Sequence, residues 1–516
     1  MRIRAYRGLV AAVAAASAVT LPMISVVPAA AEPDPAAFSA SIKVPAVRGH
    51  LEKLQQIADV SGGTRASGNP GHEASVTYVA DRLRAAGYQV TLQEFEFPYF
   101  RELTPSVLNG VSPGGRTYAR DTDFAVMTYS GSGNVTAPVQ GVDLVLPPSP
   151  VPNYSTSGCE ASDFAGFTAG NIALLQRGTC DFQVKAGLAQ AAGASGVIIF
   201  NEGQPGAGLN DRRTLLTGTL NAPTMTIPVV GATFAVGAEL AATGAAVTLT
   251  ADTEGDPHRR TRNVLAESRW GDPGKVVMLG AHLDSVTKGP GINDNGSGSA
   301  AVLETALKAG ALPTRNRLRF AFWGAEELGL LGSRHYVASL SPEEKAKIRL
   351  YLNFDMIASP NYTLGIYDGD NSDAAGAPAG PAGSDTIEKL FESYYRSIGR
   401  PYTSTDFTGR SDYGPFIAVG IPAGGLFTGA EGIKTAEEAA KFGGQAGVAY
   451  DRCYHQACDT IANVNDEALA INAGAVATAA FVYAYSDTLP GGGTPTSTWQ
   501  GIGGGGLRHD HDGVSR

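Results

Sequence analysis

The sequence is poor in charged residues and in cysteine, and both scarcities limit what the protein can do. Only 17% of its 516 residues are charged, and 49 Asp and Glu against 39 Lys and Arg give a formal charge of −10. This acidic balance argues against nucleic acid or an anionic membrane as the main partner. The hydrophobic content of 43% is that of a globular protein, and the length suggests two or three domains.

The chain also lacks a long uninterrupted apolar run, although a broken one lies at its N-terminus. Arg2, Arg4 and Arg7 precede an Ala- and Val-rich segment that ends in the small residues Ala29–Ala31. This order is typical of an export signal, so we expect cleavage after Ala31 and a secreted, extracellular protein. A membrane anchor is the alternative, but prolines interrupt the run and no charged stop follows it. We expect no later segment to be apolar for long enough to span a bilayer.

The cysteines number only four. An even number in an exported chain is typical of disulfides, and four cysteines allow three connectivities. Nearness in sequence favours Cys159–Cys180 and Cys453–Cys458. A cysteine-rich zinc site is the alternative, but the pairs lack C-x-x-C spacing.

Composition and periodicity divide the rest of the chain into four segments. Residues 32–126 predict two amphipathic helices and a strand, and residues 127–255 are a Gly-, Ala- and Val-rich stretch with short strand-like runs. Residues 256–488 alternate strands and helices, which predicts a mainly parallel sheet covered by helices. Residues 489–516 are interpreted as a flexible Gly-rich tail, in which a loose metal site of His509 and His511 is the less favoured alternative.

Two further features bear on this organisation. The basic cluster at residues 258–262 is interpreted as a solvated linker between domains. The last helical pattern, Glu467–Ala484, has Leu469, Val476 and Tyr483 on one face, so we expect that face to pack closely against the core.

Side chains that can bind metals follow three apolar runs of the third segment. His282 comes directly after Val276–Ala281, and Asp355 directly after Leu350–Phe354. The third run, Leu318–Trp323, is followed by a turn and then by the adjacent pair Glu326 and Glu327. Ligands bind at the carboxyl ends of strands in open α/β sheets. Asp284, two residues after His282, is suitably placed to orient the imidazole.

Each of these residues has a structural explanation when it is taken singly. Asp294 precedes a helical pattern and could cap it, or its two oxygens could bridge two metal ions about 3.5–4 Å apart. Glu326 and Glu327 could interact favourably with a helix dipole at the start of a helix, or one could bind metal while the other takes a proton from water. Asn295 starts a glycosylation pattern, N-G-S, which we interpret as a false positive at this position.

His455 lies inside the small loop that Cys453 and Cys458 would close. Such a disulfide would hold Tyr454 and His455 in fixed directions, which suits a ligand, although a surface staple is the alternative. Two histidines and several carboxylates after successive strands are much harder to explain structurally than any one of them.

Five motifs resemble those of the exported bacterial di-zinc aminopeptidases of the leucyl type: GAHLDS, GINDNGSG, WGAEELGLLGS, YLNFDMI and CYHQACDT. The resemblance covers about residues 45–125 and 256–488, which would be the two parts of the catalytic domain. It implies an α/β fold, a zinc-exopeptidase sandwich of a mainly parallel sheet between helices. It also implies removal of N-terminal residues, often large apolar ones, from peptides and proteins.

Residues 127–255 resemble the protease-associated domain, a non-catalytic β-rich insertion of several exported peptidases. The strand at residues 171–175, the R-G-x-C motif ending at Cys180, a helix and the apolar strand at 196–200 come in the matching order. An unrelated small β-rich domain is the alternative.

The resemblance to the aminopeptidases implies two zinc ions per chain. Asp294 would bridge them, His282 and Asp355 would complete one site, and Glu327 and His455 the other. Some family members also bind calcium through acidic residues of the last helix. Because Ala470 and Gly474 offer none here, we expect no calcium site.

The resemblance further implies that Glu326 is the general base and that Tyr454 hydrogen-bonds the oxyanion. Arg410 and Asp412 are candidates for fixing substrate termini, with a surface ion pair as the alternative. Phe427 is a candidate for the side-chain pocket, with core packing as the alternative. A histidine is common in the family where Tyr413 stands, so this loop departs from the family pattern.

We therefore expect a secreted metallo-aminopeptidase that acts as a monomer on substrates with a free N-terminus, with no nucleic-acid or membrane partner. A carboxypeptidase or dipeptidase on the same scaffold would need cationic residues aimed at a C-terminal carboxylate. A metal-bearing scaffold protein that works through its protease-associated domain would have no need of Glu326.

Overall fold

The computed structural model describes residues 34–111, 115–206, 210–375 and 379–491. The signal peptide predicted at residues 1–31 and the tail histidines His509 and His511 lie outside the described residues. The described strands are β1 (Gln89–Gly110), β2 (Phe124–Val126), β3 (Gly133–Gly141), β4 (Ile172–Gln176), β5 (Gly196–Phe200), β6 (Val229–Ala232), β7 (Ala246–Glu267), β8 (Asp272–His282), β9 (Asn316–Trp323), β10 (Ile348–Phe354), β11 (Gly365–Tyr367), β12 (Thr403–Thr405) and β13 (Ala423–Phe427).

The described α-helices alternate with the strands in the second half of the chain and precede them at its start. They are α1 (Pro35–Ser41), α2 (Val44–Asp59), α3 (Pro70–Ala85), α4 (Phe182–Ala191), α5 (Phe234–Thr243), α6 (Gly298–Ala309), α7 (Leu331–Ser339), α8 (Pro342–Lys347), α9 (Ser384–Ser397), α10 (Gly414–Ala418), α11 (Ala436–Phe442) and α12 (Asp466–Tyr485).

The catalytic part of the sheet has the strand order β12-β11-β13-β10-β8-β9-β7, with β1 along β7. Strands β13, β10, β8 and β9 are parallel, and β7 and β11 run antiparallel to their neighbours β9 and β13. Val277 and Leu279 of β8 pack in the core with α2, α3, α6 and α12, and Val276 and Met278 pack with α7 and α10. Helices on both faces explain the continuous apolar runs and confirm the mainly parallel sheet between helices.

Helix α12 lies within the core and is not packed through a single face. Residues all around it are buried, and most of them are small. By length and composition alone this helix could cross a membrane, so the expectation that no later segment could do so was wrong. In the structure 72% of the most apolar stretch of this helix is buried inside the protein, as in the core helix of a globular domain.

The inserted segment has a smaller sheet of its own. Strands β3, β4, β5 and β6 are parallel neighbours, and β2 pairs antiparallel with β6 at the edge. Strands β4 and β5 are fully buried because α5 covers one face and α4 the other. Strand β3 also pairs with β7, which joins this layer to the catalytic sheet.

Strands β1 and β7 connect the two parts as a long antiparallel ribbon of 22 residues each. They are paired from Gln89 and Glu267 at one end to Gly110 and Val247 at the other. The interpretation of residues 258–262 as a linker is wrong, because they lie within β7. The domain boundary expected at 255/256 falls inside β7. Strand β2 lies within residues 32–126, which we assigned to the first part of the catalytic domain, but it pairs with β6 of the inserted segment.

Candidate active site

The predicted ligand residues meet at the carboxyl ends of three neighbouring parallel strands. His282 is the last residue of β8, Asp355 directly follows β10, and Glu326 and Glu327 lie in the turn after β9. Asp294 comes from the turn at residues 292–297 that leads into α6. The parallel sheet brings together residues that are up to 73 positions apart in the chain.

Asp294 stands between two sets of ligand-type side chains. Its Oδ1 lies 3.3 Å from Nε2 of His282, and that nitrogen lies 3.3 Å from Oδ1 of Asp355. Its Oδ2 lies 3.2 Å from Nε2 of His455, and that nitrogen lies 3.0 Å from Oε2 of Glu327. The two oxygens of one carboxylate therefore face two separate sets, each with an imidazole and a second carboxylate.

This donor set fits divalent cations. The ligand atoms of His282, Asp294 and Glu327 lie within 4.8 Å of one another, as do those of His282, Glu326 and Asp355. Imidazole and carboxylate are the ligands that catalytic zinc takes. Within the described part of the chain, the buried Oε1 of Glu327 has no hydrogen-bond partner. Buried carboxylates are costly without a compensating charge, and bound cations would supply it.

The crowding of acids displaces the pKa values of the centre. Burial raises the pKa of Glu326 well above its ordinary value and that of Glu327 to about 7. Burial opposes the charged form of His282, but Glu326 and Asp355 raise its pKa well above the ordinary value. Burial likewise opposes the charged form of His455, whose pKa the neighbouring carboxylates raise to about 11. The centre therefore attracts positive charge.

The structural explanations left open by the sequence do not apply to these acids. Asp294 has a non-helical backbone, and the N-cap position of α6 is occupied by Ser297. Helix α7 begins only at Leu331, so Glu326 and Glu327 lie outside its first turn. Asn295 is fully buried and its amide donates to the carbonyl of Phe354, so the glycosylation pattern is a false positive.

Asp284 lies beside His282, as expected. Nδ1 of His282 is 3.1 Å from the backbone carbonyl oxygen of Asp284 and 3.6 Å from its carboxylate. The closer orienting group is therefore the carbonyl. The carboxylate accepts a hydrogen bond from the N–H of Glu326 at 3.2 Å and so links two of the turns at the centre.

Both predicted disulfides are present, Cys159–Cys180 and Cys453–Cys458. The second closes the turn in which His455 has a left-handed backbone with φ of 56°. The ring of Tyr454 stacks on the imidazole of His455, with centroids 3.8 Å apart. The two side chains thus leave the small loop in fixed directions.

Several supporting residues were not predicted. Asp459 accepts the N–H groups of Asn293 and Asp294, both at 2.9 Å, and so fastens the disulfide loop to the turn of Asp294. Ser411 donates to Oδ2 of Asp355 at 2.5 Å. Asp459 directly follows Cys458 in the motif CYHQACDT, and this position next to the disulfide could have indicated its role.

A cavity of 160 Å³ opens onto the centre. Apolar side chains form part of its wall, and the charged residues Asp406, Arg410 and Glu431 also line it; the apolar ones are Met356, Tyr367, Tyr413 and Phe427. Two of the three substrate-binding candidates, Arg410 and Phe427, therefore line the cavity.

The third candidate, Asp412, is fully buried and is not among the side chains that line the cavity. A surface ion pair between Asp412 and Arg410 is excluded by the same burial. Burial raises the pKa of Asp412 to about 8.

Comparisons with known proteins agree with this geometry. Residues 263–480 match the model of Peptidase family M28, and residues 139–240 match that of the PA domain. The chain is 52% identical to "Aminopeptidase" of Pseudomonas aeruginosa over 83% of this chain and 78% of that protein. It is 44% identical to "Probable leucine aminopeptidase 2" of Aspergillus fumigatus over 85% of this chain and 84% of that protein. Among solved structures, a zinc aminopeptidase from Bacillus subtilis is similar, with 25% identity, a TM-score of 0.58, and coverage of 87% of this chain and 97% of that one.

Proposed function

The chain belongs to peptidase family M28 and carries an inserted PA domain, and we propose on that premise that it is an exported di-zinc aminopeptidase. Its reaction would be hydrolysis of the N-terminal peptide bond of peptides and proteins. The observation that carries the proposal is Asp294, whose two oxygens face two sets of one histidine and one carboxylate each.

These distances support the following ligand assignment. His282, Asp294 and Asp355 would hold one ion, and Asp294, Glu327 and His455 the other. When bound, the ions would lower the pKa of a water molecule towards about 7 and polarise the scissile carbonyl. Two zinc ions per chain are proposed, with no calcium site.

The proton transfers belong to Glu326. This buried residue lines the cavity, and its Oε2 lies 3.8 Å from Nε2 of His282. Glu326 takes a proton from the attacking water and returns it to the nitrogen of the leaving amine, so that one carboxylate serves as base and then as acid. Tyr454, which also lines the cavity, donates a hydrogen bond from its hydroxyl to the oxyanion of the tetrahedral intermediate.

The cavity supports an exopeptidase that prefers large apolar N-terminal residues. The apolar wall formed by Met356, Tyr367, Tyr413 and Phe427 suits such a side chain. The carboxylates of Asp406 and Glu431 in the same lining would attract an α-ammonium group and repel a C-terminal carboxylate.

Arg410 is the observation that favours the second candidate, a carboxypeptidase or dipeptidase on this scaffold. Its side chain lines the same cavity and could bind a C-terminal carboxylate. The aminopeptidase is preferred because the carboxylates of Asp406 and Glu431 line the cavity together with Arg410 and favour a positively charged substrate terminus.

The experiment uses mature protein with leucine p-nitroanilide, with a free peptide and with the same peptide acetylated at its N-terminus. The proposal predicts activity on the first two only, loss of activity with a chelator, and full recovery at two zinc ions per chain. Cleavage of the acetylated peptide from its C-terminus would establish the second candidate instead. Recovery at one ion per chain would overturn the di-zinc assignment.

Export and oligomeric state have tests of their own. Two disulfides suit an oxidising compartment, and we propose a secreted monomer that is free of the membrane after signal cleavage. Protein recovered from the culture medium should begin at Glu32 and should elute at the size of a monomer. Retention in the membrane fraction with residues 1–31 intact would contradict secretion.

A further inference from the structure

The turn at residues 64–69, between α2 and α3, is hydrogen-bonded to the loop that joins His282 to Asp294. Arg65 in this turn is fully buried. Its Nε donates to the carbonyl of Pro290 at 2.8 Å and one Nη to that of Gly291 at 2.5 Å, and the other Nη donates to that of Leu283. One guanidinium therefore binds both ends of the loop at residues 283–291.

Neighbours of Arg65 extend these contacts. Thr64 donates from its hydroxyl to the carbonyl of Val286 at 2.8 Å, and the N–H of Arg65 donates to the hydroxyl of Ser285 at 2.9 Å. The hydroxyl of Ser67 accepts the N–H of Ala325, the residue before Glu326, at 2.7 Å. The turn thus contacts the chain beside His282, Asp294 and Glu326.

The charge of Arg65 lies near several carboxylates, although its guanidinium donates to carbonyl groups. In the described part of the chain its side-chain hydrogen bonds go to carbonyl oxygens, while Asp284, Asp459, Asp294 and Glu327 act on it electrostatically. Burial lowers the pKa of Arg65 to about 10, which leaves it charged at neutral pH. A buried cation is costly unless nearby charges of opposite sign compensate it, and here the acidic centre does so.

We propose that Arg65 is a positioning residue for the metal centre, which fixes the 283–291 loop and supplies the positive charge that keeps the acidic centre folded before metal ions bind. The proposal rests on the proposed function, because it requires that cations bind at this centre. It implies that Arg65 and the metal ions substitute for each other in compensating the same carboxylates. A protein without Arg65 should then depend more strongly on zinc for its stability.

The test compares melting temperatures of the zinc-loaded and the chelated protein. Arg65→Met removes both the charge and the hydrogen bonds, whereas Arg65→Lys keeps the charge and loses the three-pronged contact. Arg317→Met is the control. Arg317 lies at the start of β9, at the end of the strand remote from the site. Its Nε and Nη2 donate to the carbonyl of Gly271 at 3.2 and 3.0 Å.

Chelation should lower the melting temperature of Arg65→Met by roughly 5–15 °C more than that of the wild type. Arg65→Lys should have lower melting temperatures than the wild type both with zinc and after chelation, but the difference between these two temperatures should equal that of the wild type. The control variant should behave in the same way. A purely structural role would lower both states equally in Arg65→Met, and that result overturns the proposal.

Three outcomes separate a failure of this proposal from a failure of the proposed function. Failure of Arg65→Met to fold with zinc present overturns the proposal, because the ions should replace the missing charge. A wild-type protein that binds no zinc overturns both this proposal and the proposed function. Wild-type zinc binding with equal melting differences in all variants overturns only the role of Arg65.

Discussion

The catalytic sheet and the sheet of the PA domain both place charged residues after buried parallel strands, but they compensate these charges differently. In the PA domain, Glu202 lies two residues after β5 and is buried. It accepts the N–H groups of Asn153 and Tyr154 at 2.7 and 2.9 Å and contacts Arg212 at 3.0 Å. The chain thus supplies the partners of this carboxylate itself.

At the catalytic centre the acids outnumber the basic side chains that face them. The acids Asp294, Glu326, Glu327 and Asp355 share two imidazoles, and the cation Arg65 directs its hydrogen bonds to carbonyl groups. A buried carboxylate that a guanidinium and N–H groups compensate serves the fold, whereas four acids that share two imidazoles favour the binding of external cations. This difference distinguishes a structural polar core from a reactive site.

The largest expected effect comes from Glu326→Gln. Because the amide cannot take a proton from water, kcat for leucine p-nitroanilide should fall by about 100- to 10,000-fold. The zinc content, measured by atomic emission, should stay at the wild-type value. Loss of zinc together with activity would mean that Glu326 is a ligand and not the base.

Tyr454→Phe should have the next largest effect. Removing one oxyanion donor typically lowers kcat by about 100- to 1,000-fold, and here the fall should appear in kcat with little change in KM. Steady-state kinetics over a range of substrate concentrations separates the two constants. A change in KM alone would assign Tyr454 to substrate binding.

Glu202→Gln makes in the PA domain the same chemical change as Glu326→Gln at the centre. The variant should lose about 1–3 kcal/mol of stability, since it weakens the bonds to Arg212 and to the N–H groups. Calorimetry measures this loss, and kcat for the small substrate should remain within about twofold of the wild type because Glu202 lies outside the site. A large fall in kcat of the folded variant would contradict the division between the two sheets.

The smallest effect per unit of pH is a pH dependence from Lys185 of the PA domain. Burial lowers the pKa of Lys185 from its ordinary value of 10.5 to about 8. Between these values the unfolded chain holds a proton that the folded chain has lost, so the free energy of unfolding rises with pH by up to about 1.4 kcal/mol per unit. Below pH 8 both states are protonated, and the destabilisation is at its full value. The difference between wild type and Lys185→Met in urea unfolding should follow this slope, and a flat difference from pH 8 to 10.5 would contradict it.

The sequence predicted that His282, Glu327 and Asp355 lie together because they follow apolar runs, and parallel strands bring such ends together. It predicted the cysteine pairing through nearness alone. It did not predict the roles of Arg65 and Asp459, because their partners are backbone carbonyl and N–H groups, which every residue carries and no residue type signals.

The ribbon of β1 and β7 was also missed, for a different reason. The charges of residues 258–262 resemble a solvated linker when only one strand is considered. In the structure Arg260 and Arg262 face Glu94 across the ribbon at 3.2 and 3.5 Å. Cross-strand pairing of this kind depends on a partner 166 residues away, which local pattern cannot reveal.

The same ribbon determines how the PA domain is inserted. Phe97 and Arg259 are paired neighbours on β1 and β7, so the chain leaves the catalytic sheet and returns to it at adjacent positions. A short turn between these two positions would close the catalytic sheet as an ordinary β-hairpin. In topological terms the whole PA domain occupies the loop of a hairpin. It could be gained, exchanged or lost in evolution without a change in the positions of β8, β9 and β10, which lead to the site.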